Sequence, residues 1–433
     1  RNLCRLAFGL LVAVPTCAVV VVVIWCRSPW SAAHYRHELA EQLALDVRLD
    51  AIGFPRPGVT RYLGLSLVDP ETARTLAELT AVEVRAERQK TWIECREAEV
   101  LDGSRLDLVV EWATRWLRGR AGSESAAEIH LAKLSLHLDG GDDLLLVDVR
   151  GRFAGTQAKQ PSENPREPQA VLEFSLAGQE DATPARISFD RHVGKRSAGG
   201  HGATTAIKLE TGPTALPARL VELCCPGWRT WGEESTFAGN LQWQRGAAGI
   251  TGEVDGRIAG IDLGKLVSTR SQHRLTGTAE VYLDEAQFRD GRLVSATGSI
   301  VAGPGLVGRS LLAAAARDLH FAENNPAAPL IDLVDYEKLA LSFKISERGV
   351  SVHGKCPGSP GAVFLGRQQH RLLAEPPKGF YPLLGIVRLS ALGEAVPADP
   401  AAQALLGVLP VPVADEGGFG TVPQAEREKP QRR

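Results

Sequence analysis

Apolar and polar residues alternate with a period of two along most of this chain. The pattern begins in VRLDAIGFPRPG, from Val47 to a Pro/Gly turn. It continues in RYLGLSLVDPET, where Tyr62, Leu63, Leu65 and Leu67 precede the turn Asp69-Pro70-Glu71. TAVEVRAERQ alternates through Val82, Val84 and Ala86. TWIECREAEVL has two registers open, Trp92/Glu94/Arg96 or Ile93/Cys95/Glu97. Such runs, bounded by Gly, Pro, Asn and Asp, predict short strands in an antiparallel meander rather than βαβ units. The arm Ile129, Leu131, then Leu134, Leu136, Leu138 returns through Leu144 and Leu146, with DGGDD (Asp139–Asp143) as the turn. That turn lacks the ligand spacing of a calcium loop. VLEFSLAG and ARISFDRH give further strands, separated by the polar segments KQPSENPREPQ and KRSAGGHG. From Ser235 the pattern is cleanest. TFAGNLQWQRGAAGITGEVDGRIAGIDLGKL, LTGTAEVYLDEAQFRDGRLVSATGSIVA and YEKLALSFKISERGVSVHGK read as successive hairpins with glycine corners.

A few stretches carry the helical period instead. SAAHYRHELAEQLAL places Tyr35, Leu39 and Leu43 on one face. In Leu106–Leu117, Val109, Trp112, Ala113, Trp116 and Leu117 form a stripe beside Arg115, Arg118 and Arg120. Packing of those tryptophans on the sheet is the favoured reading, and a lipid-facing helix is the alternative. LPARLVELCCPG reads as a short helix or strand. A small helix is predicted over Leu306–Ala316, and short helices broken by Pro397, Pro400 and Pro410 over Phe380–Leu409.

Leu6–Cys26 has no period at all. It is uncharged throughout and, at ~1.5 Å per residue, is long enough for the roughly 30 Å hydrocarbon core of a bilayer. Arg1 and Arg5 precede it and Arg27 follows it, with Trp25 and Trp30 placed as interfacial anchors. The expectation is an uncleaved anchor with the bulk of the chain outside the cytoplasm. A signal peptide cleaved near Ser31-Ala32-Ala33 is the competing reading, although signal h-regions are shorter. The organisation expected is therefore a membrane anchor over 1–30, β regions over 31–120, 121–230 and 231–375, and short helices with a disordered tail over 376–433.

Composition narrows the function classes. With 49 basic and 51 acidic side chains there is no global basic footprint, so nucleic acid is not expected as a partner. Of the seven cysteines, Cys4, Cys17 and Cys26 belong to the apolar run or its edge. Cys95, Cys224, Cys225 and Cys356 lie beyond it, and outside the cytoplasm these four have three connectivities open to them. Gly303, Gly305 and Gly308 spell GxGxxG before a helix, with Glu323 downstream, the pattern of a dinucleotide site. Its flanks are hairpins rather than βα repeats, which favours a glycine turn at a packing helix. HExxH, GxxxxGK[ST] and GxSxG are missing. The basic loop with Arg191, His192, Lys195 and Arg196 reads as solvated. No catalytic, cofactor or metal-binding residues are assigned, and an enzyme is the least favoured class.

Taken in order, these features resemble the AsmA-like family, relatives of the repeating β-groove lipid-transfer proteins. The resemblance rests on an N-terminal anchor followed by Leu65, Leu67, Asp69 and Pro70, then Ala81, Val82 and Val84. It rests also on the glycine-punctuated strands of 275–312 and the hairpin LSFKISERGVSV. It implies an elongated, curved antiparallel sheet with an apolar inner face, in an inner-membrane protein whose bulk is periplasmic. The implied role is lipid transport or outer-membrane biogenesis, with membrane lipids and other envelope proteins as partners. About fifteen strands at ~4.8 Å would make a trough of roughly 70 Å, short for a bridge between two membranes. The alternative class is a structural or protein-interaction ectodomain with closed sheet faces. Which residues would touch lipid depends on register, because a one-residue slip exchanges the two faces of a strand.

Overall fold

The structure, a computed structural model, describes residues 29–43, 45–69, 72–87, 90–101, 126–137, 143–153, 170–180, 182–193, 203–218, 231–246, 249–268, 273–323, 332–390 and 409–410, with isolated positions 8, 9, 14, 16 and 17. The expected anchor lies almost wholly outside these residues. So do the expected helix at 106–117, both polar segments, the DGGDD turn up to Asp142, and Cys4, Cys26, Cys224 and Cys225. Among the described residues no helix is long and apolar enough to cross a membrane.

Helix α1 (Pro29–Leu43) leads into a ladder of hairpins. The first strands are β1 (Asp46–Arg56), β2 (Val59–Val68), β3 (Thr75–Glu87), β4 (Lys90–Val100), β5 (Ala126–Leu136) and β6 (Leu144–Phe153). Next come β7 (Ala170–Leu176), β8 (Ala185–Val193), β9 (Ala203–Glu210), β10 (Leu216–Pro217), β11 (Thr236–Gly246) and β12 (Gly249–Asp262). After helix α2 (Leu263–Ser268) follow β13 (Thr278–Arg289), β14 (Arg292–Ala302), β15 (Gly305–Gly308), helix α3 (Arg309–Leu319), β16 (Ala322–Glu323), β17 (Leu333–Tyr336) and β18 (Lys338–Ser346). The chain ends its described course in β19 (Gly349–Gly354), β20 (Ala362–Leu365), β21 (Arg371–Ala374) and helix α4 (Leu384–Ser390).

Nineteen strands belong to one sheet, and β15 and β17 form a separate pair. The β regions expected from sequence are thus joined in a single sheet. Neighbours follow chain order from β1 to β9; β9 then pairs with β11, and β14 pairs with β18. One pairing departs from the antiparallel expectation. β4 and β5 run parallel, from Lys90↔Ala126 to Val100↔Leu136. A parallel pair needs a crossover of a dozen or more residues, and the segment 102–125 supplies that length.

The alternation slips by one residue at a common level in successive strands. In β4, Cys95 and Ala98 are buried while Arg96 and Glu97 between them are exposed. In β5, Ala132 and Lys133 are both exposed between Leu131 and Leu134. The ladder skips Asp50↔Gly64, Gly64↔Thr80, Arg96↔Ala132 and Ala132↔Asp148, where Gly64 and Asp148 have positive φ. The same level recurs further along. Gly239, Gly256, Leu283 and Gly298 stand in register across β11–β14, and β13 carries a bulge beside Leu283. Bulges and glycines bend a strand and raise its twist. Aligned across neighbours, they form one crease running across the strands. On either side of it, residues of opposite parity share a face, which is why Tyr62 and Leu65, or Val82 and Leu79, belong to the same apolar cluster.

Candidate functional site

The sheet has one apolar face; the other is charged except at β14 and β18–β20, where Val301, Ala340, Cys356, Ala362 and Leu365 form an apolar cluster on it. On the apolar face lie Leu65, Val82, Cys95 and Ala98 in the first strands. A second, larger cluster on this face holds Phe174, Ile187, Leu209, Leu241, Val254, Ala286 and Val352, and Leu67, Leu131 and Leu134 pack against both. The opposite face carries the paired charges: Arg61 with Glu83, Lys90 with Glu128 (2.7 Å), Arg150 with Asp148 (2.7 Å) and Arg257 with Glu280 (2.6 Å). Exposed pairs of this kind contribute little stability each. Their value is in making that face a water-facing one, so the apolar face is the one with a binding capacity.

Burial on the apolar face grades across the strands. Near the crease it is sealed: Phe237 and Ile258 have no exposure and Val254 has 1%. Towards the rim formed by the β1–β2, β3–β4, β11–β12, β13–β14 and β18–β19 hairpins burial is uneven: Ala127, Ala170 and Val350 stay buried, while their neighbours are looser. There Val84, Ile93, Ile129, Ile187, Trp243 and Phe288 are only half-buried. At the far end α3 buries Leu312, Ala314, Ala315 and Leu319. At the near end α1 lies along β1, with Leu39 and Ala40 against the cluster of Val47 and Leu65. Tyr35 meets Phe54 and Tyr62 at ring separations of 6.1 and 6.4 Å. Burial, then the charges around it, pushes the Tyr62 hydroxyl up to about 12. The helix predicted from Tyr35 and Leu39 therefore forms, and uses those residues as its packing face.

The GxGxxG segment is extended rather than a turn. Gly305–Gly308 is strand β15, antiparallel to β17. The Leu306 N–H donates to Thr276 Oγ1 (2.9 Å) and the Gly308 N–H to the Arg274 carbonyl (2.7 Å). A Cβ on Gly305 would stand 2.1 Å from the Thr276 carbonyl oxygen. This glycine is needed for close backbone approach, and α3 starts at Arg309, three residues later than the pattern predicts. Glu323 sits in β16, paired in register with Leu373.

Asp69 turns the chain after β2 as its Asp-Pro sequence suggests: its carboxylate accepts from the Thr72 hydroxyl (2.7 Å). Cys95 and Cys356 are free thiols buried in separate apolar clusters, so they are not joined to one another. Burial pushes both thiols up. Of the basic loop, Arg191 and His192 fall at the end of β8, and Lys195 and Arg196 lie outside the described residues.

Two contacts join residues that no local motif links. His273 Nδ1 lies 2.9 Å from Ser310 Oγ, tying the segment before β13 to the first turn of α3; burial holds this imidazole below its usual range. His137 is clasped by Glu99 through Nε2 and by Asp143 through Nδ1, both at 2.5 Å. Those hydrogen bonds, Glu99's first, raise its pKa. The clasp fastens the ends of β4, β5 and β6 around the parallel pair. A raised histidine pKa contributes stability that is fully present below the ordinary value and is lost as pH rises through the raised one. The melting temperature is therefore expected to fall modestly as pH rises above the ordinary histidine value of about 6.5. His137→Asn should flatten that slope; an unchanged slope would show the clasp to be inert.

Comparison with protein-family models, with curated proteins and with solved structures returns no match.

Proposed function

We propose that this chain is a membrane-anchored β-groove protein that binds or transfers lipid, its role being binding rather than catalysis. The observation that carries the reading is the apolar face. It extends across the sheet through two clusters that share Leu67, Leu131 and Leu134, is sealed along the crease, and is half-buried at Val84, Ile93, Ile129, Ile187, Trp243 and Phe288. Strands bent at one common level give the sheet a trough-like cross-section. About fifteen successive strands, at ~4.8 Å spacing, give that trough a length of roughly 70 Å. Acyl chains suit such a face, since each buried methylene is worth about 0.8 kcal/mol and no directional partner is required. The AsmA-like resemblance supports the same reading. It adds an anchor at Leu6–Cys26 in an inner membrane, a periplasmic location, and a part in envelope assembly alongside other envelope proteins. A trough of this length fits a shuttle, an assembly factor or one unit of a longer bridge.

Native mass spectrometry of the purified full chain in a detergent-free scaffold tests this. Retained phospholipid is the expected result, and repeated isolation without lipid would overturn it. The second reading, an ectodomain with closed sheet faces, draws on the complete burial of Phe237 and Ile258. It predicts that lipid-free outcome.

A further inference from the structure

The two rims of the sheet differ in chemistry. At the hairpin rim stand Arg56, Arg85, Arg152, Arg289, Arg292 and Arg348, all exposed and outnumbering the exposed carboxylates of Glu87, Asp290 and Glu347 at the same tips. Arg85 is paired with Glu87; the other five form no ion pair among the described residues. Arg289 and Arg292 face one another directly across the β13–β14 hairpin. Like charges opposite each other destabilise a ladder, so this pair has no structural benefit to explain it. The opposite rim carries Asp46, Glu99, Asp143, Glu180, Glu210 and Asp262, with Arg74, Arg186 and Lys265 among them. Several of those carboxylates are occupied locally: Glu180 accepts from the Gly178 N–H, Asp262 from the Gly264 N–H, and Glu99 and Asp143 hold His137.

Large apolar side chains are exposed at the basic rim as well. Phe54 (37%), Trp92 (40%) and Ile250 (45%) lie at the β1–β2, β3–β4 and β11–β12 hairpins. Phe380 (43%) precedes Tyr381, which is bridged to Val350 beside the β18–β19 hairpin. Lys90 Nζ sits 3.8 Å from the Trp92 ring centroid. Of the remaining exposed apolar residues, Phe8 and Val14 belong to the apolar run, Leu63 and Tyr282 are mid-strand, Leu101 is at the acidic rim, and Leu384 is on α4.

The direction of α1 adds a third observation. Leu43 leads into Asp46 at the acidic rim, and Tyr35 has already reached Phe54 near the basic one. From Tyr35 back to Pro29 the helix continues in the same direction, so its first residue lies on the basic, aromatic side.

We propose that this rim is a docking surface for an anionic lipid bilayer, with Phe54, Trp92, Ile250 and Phe380 entering the interface and the arginines meeting lipid phosphates. Aromatic and basic residues side by side are what an anionic interface recognises. Docked this way, the half-buried lip of the apolar face opens at the membrane surface. The proposal stands independently of lipid retention in the trough.

Tryptophan quenching by brominated phospholipid tests it on the full chain reconstituted into bilayers. The Trp92 signal is the component lost in Trp92→Phe. It should be quenched by brominated phosphatidylglycerol at low salt, and much less by brominated phosphatidylcholine or at high salt. Each arginine replaced by Gln among Arg85, Arg289 and Arg292 should weaken the anionic-lipid dependence about fivefold. Glu180→Gln on the opposite rim should leave it unchanged. Quenching that is equal in both lipids and indifferent to the arginines would overturn the proposal, as would the absence of quenching in either. Lipid retention by native mass spectrometry reports the trough separately, so either reading can fail alone.

Discussion

Gly256→Val is expected to be among the most destabilising single substitutions in this chain, costing at least about 3 kcal/mol. Gly256 lies opposite Gly239 at the crease, with φ +139°. A Cβ there would stand 2.4 Å from the Ala238 carbonyl oxygen and 2.6 Å from the Gly239 Cα. Both obstacles are backbone, in a strand paired on both sides, so neither can swing away. Valine adds β-branching to a conformation that L-residues already avoid. Gly291 gives the contrast. It also has positive φ (77°), but it sits at a hairpin tip where an added methyl group would have no atom within 4 Å. Gly291→Ala should therefore cost only about 1 kcal/mol, the conformational part alone. Denaturant titration of both variants separates the two contributions. If they differ by less than the uncertainty of the midpoints, the crease does not depend on glycine.

That contrast shows what was legible in the sequence. Both glycines sit among strand-like residues, and nothing in the alternation distinguishes a corner from a crease. The strands themselves were readable because a sheet with one apolar face imposes a period of two, and β1 to β4 fall where the pattern placed them. The slip was visible too, in Leu131 followed by Leu134. Its meaning was not, because one slip looks like an irregularity and only its alignment with Cys95/Ala98 and Tyr62/Leu65 makes it a fold in the sheet. The parallel β4–β5 pair escaped for a similar reason: two strands separated by 102–125 give no local sign of orientation. The glycine turn expected at GxGxxG is instead an extended strand, in which Gly305 is needed for close approach to the Thr276 carbonyl. The basic rim was the least legible feature. Arg56, Arg85, Arg152 and Arg289 are far apart in sequence, and near-neutral overall charge conceals them until the hairpins bring their tips to one edge.

Placing carboxylates on the open part of the apolar face should remove bound lipid without unfolding the chain. Ile187 in β8 and Trp243 in β11 both lie on that face and both are half-buried. Glutamate at either position can turn its charge towards water at the lip, which limits the cost to about 1–2 kcal/mol each. An acyl chain lying over the same position has no such escape. It would have to cover an ionised carboxylate, or leave. The double variant Ile187→Glu/Trp243→Glu is therefore expected to retain at least about tenfold less phospholipid, a change of ~1.4 kcal/mol or more in binding. Lys208 and Gln242 provide the comparison, since they are in register on β9 and β11 but project from the charged face. Lys208→Glu with Gln242→Glu changes net charge by as much or more and should leave retention unchanged. Lipid held around a membrane anchor would be indifferent to both pairs. Equal retention across all three proteins would therefore assign any co-purified lipid to the anchor, and unequal retention of the expected sense would assign it to this face.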